Sequence, residues 1–413
     1  MSDRVVHAVD NHTSRGPPAS RAATATWLIT SGVLIALALW LRIDSPRLAQ
    51  DVLQHLTHRN IFVAGNLLAG AVYLASCLNL RRPMGKWLFA WMLLAGLICR
   101  LVMLGGTPVL STDYYRFLWD GAVLAQGHNP WRYSPQAVFK HSNPGIDPAL
   151  TAMARAHPRI MRGINHAGIA TIYPPVSELA MALAAKIAPF SVTALKTVYL
   201  IFDVATAILI VVILRRLHRS ASWLLIYWWN PVLINAFYNE AHMDVITLGF
   251  VTLFALLVVV DRPIPAAMAL GLATGAKFWP IVLATVLLRP LLGRPKQLGI
   301  VLLVLATVST VALAPMFLTG APAFHSLISY GRYWHENDGV FRLISMFWHR
   351  VFPSSAYTVS ALASRATIAV IYLAALTGLN RKAAVGMDAI RISLFSVMLI
   401  FLLSPTEFPW YYT

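Results

Sequence analysis

The sequence predicts an all-α integral membrane protein, a multi-span helical bundle of about 11–12 membrane segments. Three observations predict it. Hydrophobic residues make up 58% of the 413-residue chain, and the mean hydropathy is +0.65. Charged residues make up only 12%, against about 25% in a soluble domain. Apolar runs approaching the roughly 20 helical residues that cross a bilayer recur along nearly the whole length. A soluble domain is therefore excluded, and membrane lipids are the principal surroundings of the chain.

Residues 1–22 carry Arg4, Arg15 and Arg21 and the Gly16-Pro17-Pro18 cluster, the composition of a disordered cytoplasmic tail. No cleavage pattern follows the first apolar run, so 27 to 41 reads as a retained span. From residue 23 to 413 the chain reads as one transmembrane domain. Its candidate spans are 27 to 41, 61 to 80, 87 to 105, 175 to 188, 194 to 214, 222 to 237, 244 to 260, 264 to 275, 278 to 289, 298 to 318, 359 to 378 and 390 to 403.

The net charge of +17 raises nucleic acid as a partner. The basic residues nevertheless fall between apolar runs: Arg81, Arg82 and Lys86; Arg215, Arg216 and Arg219; Arg289, Arg294 and Lys296; Arg381, Lys382 and Arg391. That is the pattern of cytoplasmic loops under the positive-inside rule, and no nucleic-acid partner is expected. With the amino terminus inside, the first three spans deliver a large loop, 106–172, to the outside. A walk back from the carboxyl end puts Asn239 to Asp244, Lys277, a second loop at 319–358 and Ser404 to Tyr412 on that same face. The two walks disagree by one crossing between 172 and 215, which makes 175 to 188 a candidate re-entrant segment. Cys77 and Cys99 each lie inside an apolar run and form neither a disulfide framework nor a metal site. No repeat is visible.

Ser111 to Pro135 reads STDYYRFLWDGAVLAQGHNPWRYSP. Asp113 and Asp120 are seven residues apart, two turns along one helix face. The rings of Tyr114, Tyr115, Phe117, Trp119, Trp131 and Tyr133 suit an amphipathic helix lying in the interface. A partly desolvated carboxylate there can accept a proton from an attacking alcohol; alternatively both acids pair with Arg116 or Arg132 and hold the loop. The runs 264 to 275 and 278 to 289 are too short to cross and flank Lys277, which points to a broken helix beside a cavity. Lys277 either stabilises an anion there or snorkels to the interface. Asn239, Glu240, His242 and Asp244 form a polar cluster suited to sugar hydroxyls or phosphate, or to capping the next span. No third ligand completes a metal site there. Gly331 to Asp338, with Arg332 and His335, mixes rings and hydrogen-bonding groups as carbohydrate recognition requires, or as a solvated loop would. Within the apolar runs, Glu178, Lys186 and Asp203 each need a partner or water.

The pattern T-D-x-Y-R-x-x-W-D-G from Thr112, followed by G-x-N-P-W-x-Y-x-P from Gly127, resembles the first outer loop of GT-C fold glycosyltransferases. The likeness is greatest to bacterial polyprenyl-phosphate-mannose-dependent mannosyltransferases of the glycosyltransferase 87 and α-1,6-mannosyltransferase type. A fainter one is to the first mannosyltransferase of eukaryotic GPI-anchor synthesis. Ile172-Tyr173-Pro174-Pro175, Trp229-Asn230-Pro231, Asn239 to Asp244, Lys277 before Trp279-Pro280, and Ser404-Pro405 with Pro409-Trp410-Tyr411 extend it along the chain.

The resemblance implies a multi-span GT-C bundle whose outer loop bears amphipathic interfacial helices. It implies inverting transfer of a sugar, mannose, from a polyprenyl-phosphate donor to a lipid-linked or glycan acceptor at the periplasmic face of the inner (plasma) membrane. Asp113 is then the general base and Asp120 its support. Lys277, Arg332, His335 and His242 bind the donor phosphate, and Tyr115, Arg116, Asn239, Asp244 and Trp410 bind sugar or acceptor. Eukaryotic relatives carry an acid where this chain has Tyr115, so neither a metal nor another cofactor is expected. The rival reading is a lipid-linked oligosaccharide flippase or other transporter, which would bury its ionisable groups near the midplane and show repeats. Relatives continue into further hydrophobic spans beyond the point where this chain stops, Thr413, so the chain is expected to be truncated.

Overall fold

Apolar runs bounded by Gly, Pro and basic residues become helices with loops at those boundaries, as seen in a computed structural model that describes residues 21–51, 55–80, 84–334, 336, 338–353, 357–379, 386–406 and 408. Residues 1–20 of the tail, the basic residues Arg81, Arg82, Arg381 and Lys382, and the site candidates His335 and Trp410 lie outside the described residues. The chain is an all-α integral membrane protein. Among the described residues the extended pairing is a single bridge, between Glu336 and Thr406.

Three long helices open the chain: α1 (Arg21–Asp51), α2 (Leu56–Cys77) and α3 (Lys86–Leu104). Four short ones follow, α4 (Asp113–Ala125), α5 (Pro135–Lys140), α6 (Pro148–Ala156) and α7 (Pro158–Gly163), the last three each starting on a proline, whose fixed φ suits a first helical position. Then come α8 (Pro175–Ile187) and the long α9 (Val192–Arg216). The run 222 to 237 is no single helix but a string of pieces: a 3₁₀ turn, α10 (Leu225–Trp228), α11 (Pro231–Ile234) and a π-helical turn, Asn235–Asn239. Asn230-Pro231 breaks it, Asn230 Oδ1 capping α11 by accepting from Val232 N–H.

α12 (Asp244–Val259) and α13 (Pro263–Ala276) pair closely, and α13 stops at Lys277 in extended conformation. A 3₁₀ turn, α14 (Ala284–Leu288) and a second 3₁₀ turn lead to α15 (Pro295–Phe317), followed by α16 (Ala321–Tyr333), α17 (Gly339–Val351), α18 (Tyr357–Leu379) and α19 (Met387–Leu403).

Among the described residues six helices are long and apolar enough to cross a membrane: α1, α2, α3, α9, α15 and α18. α8 has 13 residues, about 20 Å of helix against a hydrocarbon core of about 30 Å, and Lys186 near its end is exposed. It packs against α4, α9, α13 and α15, a buttress between the short helices and the long ones.

α4 is a helix where the sequence predicts one, shorter than the 111–135 stretch. Its rings and apolar residues pack into the protein: Tyr114, Phe117, Leu118, Trp119, Ala122 and Val123 are buried, and Gly121 packs directly on the α8 backbone. Proximity to α8, invisible in a period count, closes the second face. The strongly amphipathic helix is α17, with Leu343, Met346 and Phe347 exposed along one face.

Candidate active site

Side-chain clamps on the chain leaving α3 fix where α4 begins. Lys196 on α9 donates to the carbonyl of Gly106 at 2.7 Å, and Ser45 Oγ accepts from Thr107 N–H at 2.9 Å. The buried Glu240 carboxylate accepts from Leu110 N–H at 3.1 Å and Ser111 N–H at 2.6 Å. Burial pushes that carboxyl up to about 7, the two backbone N–H bonds opposing it. Asn239, also buried, donates to the Thr107 carbonyl at 3.3 Å. The π-helical turn and Ala241, with φ of 59°, turn Glu240 and His242 inward. Ionisable residues at 240, 242 and 244 thus meet the start of α4.

A cavity of about 380 Å³ opens there. Asp113, Arg116, Asn165, His166 and Tyr173 line one part; His242, Asp244, Lys277 and Phe278 line another; Tyr330, Trp334, Glu336 and Phe408 line a third. Asp113 is the first residue of α4, with 23% of its side chain exposed. Asn165 Nδ2 donates to its Oδ1 at 2.6 Å, and Oδ2 lies 3.9 Å from His242 Nδ1. Burial raises the proton affinity of Asp113. The Asn165 bond and the Arg116 charge oppose the rise, and the Asp244 charge adds to it. His242 is buried and held well below its ordinary value by burial and the Lys277 charge, so its ring is neutral. Lys277 forms an ion pair with Asp244, the first residue of α12.

Arg116 is committed to scaffolding. Its guanidinium donates to the carbonyls of Ile169 at 3.1 Å, Asn165 at 3.3 Å and His166 at 2.9 Å. The fork of donors that would bind an acid or a sugar holds the 165–169 loop against the cavity instead. Asp120, two turns from Asp113, does not reach the cavity. It is 1% exposed and faces Thr171, whose hydroxyl donates to Glu178 Oε1 at 2.8 Å. Burial pushes Asp120 up to about 6, with the Arg116 charge and Thr171 opposing.

Three further candidates also miss the cavity. Tyr115 packs its ring over Gly163, on the opposite side of α4. Asn239 sits beneath the cavity wall as a clamp. Arg332 is exposed on α16, because the helix runs on to Tyr333 where a loop was expected. Trp334 and Glu336 enter the lining instead. The stretch is tied down by Glu336 N–H donating to the Pro405 carbonyl at 3.2 Å and Thr406 Oγ1 donating to the Trp334 carbonyl at 2.9 Å. The His166 and Trp334 rings meet at 4.2 Å between centres, with their planes inclined by 50°. Asn165, His166, Tyr330 and Phe408 carry no signal in the sequence, since each belongs to a segment without periodicity or motif chemistry, or to a face defined only by packing. Glu336 belongs to the same polar stretch as Arg332 and His335.

Two ionisable residues within the spans, Arg100 and Asp203, close on each other. Arg100 Nε lies 2.6 Å from Asp203 Oδ2, Tyr227 and Tyr238 hydroxyls donate to the same carboxylate at 2.6 and 2.7 Å, and the guanidinium lies 3.6 Å from the centre of the Trp228 ring. Among the described residues no group of three or more His, Cys, Asp and Glu side chains is disposed to hold a metal ion.

No curated protein and no solved structure matches the chain. The sequence pattern of glycosyltransferase family 87 matches residues 171–405, more than half of the chain, from the foot of the cavity at Tyr173 through Lys277 to Pro405. α4 and Asp113 precede the matched span. A sugar donor and an acceptor are the partners such an enzyme requires, and the chain, a membrane glycosyltransferase, belongs to glycosyltransferase family 87.

Proposed function

We propose that the cavity at Asp113 is the active site, and that the enzyme transfers mannose from a polyprenyl-phosphate donor, with inversion, to a hydroxyl of a lipid-linked or glycan acceptor. One observation carries the reading: a carboxylate of raised proton affinity and a lysine cation line the same cavity, met by His242 and Asp244, two residues apart. Asp113 takes the proton of the acceptor hydroxyl as its oxygen bonds to the anomeric carbon. The bond from that carbon to the phosphate oxygen breaks on the opposite face, and its electron pair leaves with polyprenyl phosphate. Lys277 stabilises the charge developing there. Asp244 keeps the lysine aligned, and neutral His242 offers hydrogen bonding without a second charge.

The scaffold is read as GT-C, and the site as facing the extracytoplasmic side of the plasma membrane. The basic loops support that side. The transporter reading draws no such support, since Arg100 and Asp203 are spent on each other.

The test is transfer of labelled sugar from polyprenyl-phosphate mannose to endogenous acceptors, in membranes carrying the parent, Asp113→Asn or Lys277→Met at matched protein level. Parental transfer is expected, with a loss of about 10²-fold or more in Asp113→Asn and about 10²–10³-fold in Lys277→Met. Equal transfer by Asp113→Asn removes Asp113 from its role. Transfer only from another polyprenyl-phosphate sugar replaces mannose and leaves the geometry intact.

A further inference from the structure

The two oxygens of Asp113 stand in different surroundings. Oδ1 accepts a short hydrogen bond, 2.6 Å, from Asn165 Nδ2. Oδ2 lies 3.9 Å from His242 Nδ1, beyond hydrogen-bond reach, and Asp113 as a residue lines the cavity. Asn165 is itself held by its backbone, because Arg116 donates to the carbonyls of residues 165, 166 and 169. Arg116 springs from the same helix as Asp113, one turn on, and is buried. α4 therefore carries both the carboxylate and the anchor that returns an amide to it.

We infer that Asn165 is the positioning residue of the catalytic base: it ties Asp113 Oδ1 so that Oδ2 alone faces the acceptor hydroxyl. This rests on Asp113 being the base. In the transfer, the hydroxyl proton passes to Oδ2 while the acceptor oxygen bonds to the anomeric carbon and the phosphate leaves with the electron pair of the broken bond. An amide N–H bonded to the carboxylate favours its ionised form, so Asn165 also keeps the base available at lower pH. The other charged and titratable groups around Asp113 and its cavity are Arg116 on α4, His166 on the 164–170 loop, Tyr173 before α8, Glu240 and His242 between the π-helical turn and α12, Asp244 on α12, Lys277 after α13, Tyr330 on α16 and Glu336 after it. Asn165 carries no charge, which is why its removal changes the proton affinity of Asp113 without changing the charge of the cavity.

The experiment is the pH–rate profile of sugar transfer by the full chain, comparing the parent with Asn165→Ala and Asn165→Gln, beside Asp113→Asn. The acid limb of Asn165→Ala is expected to move up by about one pH unit, costing up to about tenfold in rate below it. The apparent KM for the polyprenyl-phosphate sugar is expected to stay unchanged, and Asn165→Gln, which keeps an amide donor, to recover part of the shift. An acid limb that stays in place in Asn165→Ala, while Asp113→Asn abolishes transfer, overturns the role of Asn165 and leaves the base standing. Transfer by Asp113→Asn at the parental rate overturns the base itself. If Asn165→Ala is too slow to profile, the limb of Asn165→Gln decides: displaced upward it supports the inference, unmoved it overturns it.

Discussion

Asp113 and Asp120 share a helix face and differ in what surrounds them. Asp113 opens onto the cavity, whereas Asp120 is sealed between α4 and α8 beside Thr171 and Glu178, with Oδ2 buried among groups that make no hydrogen bond to it. Burial lifts Asp120 from 3.8 to about 6, so folding favours its protonated form. Its contribution to stability is then fully present below about 4 and is lost as the pH rises through about 6. Asp120→Asn, neutral at every pH, should unfold at a temperature that falls less between pH 5 and pH 7.5 than the parent's, by several degrees. Parallel melting curves would show that Asp120 carries no such load. Transfer by Asp120→Asn should stay within about tenfold of the parent, because the side chain supports α4 without touching the cavity.

At the scale of the element, the angle and depth of α4 depend on one glycine. A Cβ on Gly121 would lie 2.6 Å from the Met181 carbonyl oxygen, a backbone atom that cannot swing aside. Gly121→Ala must push α4 off α8, at a cost of about 1–3 kcal/mol, and must shift Asp113 with it. Gly70→Ala on α2 is the matched control, since a Cβ there meets nothing within 4 Å. Thermal unfolding in detergent and sugar transfer should both fall for Gly121→Ala and hold for Gly70→Ala. If Gly121→Ala keeps both, the contact between α4 and α8 does not set the site. The broken elements follow a similar logic. Pro231, Pro263, Pro280 and Pro295 each stand at a helix start, where a missing N–H costs nothing.

At the scale of the molecule, the bundle under the cavity is joined by a buried ion pair across α3 and α9. Asp203→Ala would strand Arg100 without its carboxylate and leave Tyr227 and Tyr238 without their acceptor, a loss of about 3–5 kcal/mol. Arg100→Met together with Asp203→Leu leaves no buried charge and should recover a substantial part of that loss, read as melting temperature and as protein present in the membrane. A double variant as unstable as Asp203→Ala would mean that the tyrosine hydrogen bonds, rather than the charge balance, hold the bundle.

The class of the molecule is legible in the amino-acid sequence because hydrophobic length is a one-dimensional property, counted along the chain without knowing its fold. Also legible there is that Lys277 interrupts a helix, since two runs too short to cross flank it, and that Asp113 and Asp120 share a face, since helical period is local. Which of these side chains meet depends on packing in three dimensions. Tyr115, Asn239 and Arg332 stand only a few residues from the cavity residues Asp113, Asp244 and Trp334. They differ only in the direction in which packing turns them. Arg116 looked free to bind an acid or a sugar, and three carbonyls from a loop some 50 residues away claim it. Asn165 carries no motif at all; it touches Asp113 because that loop folds back over α4. A hydrogen bond of 2.6 Å is decided by an approach in space, and sequence periodicity carries no information about it.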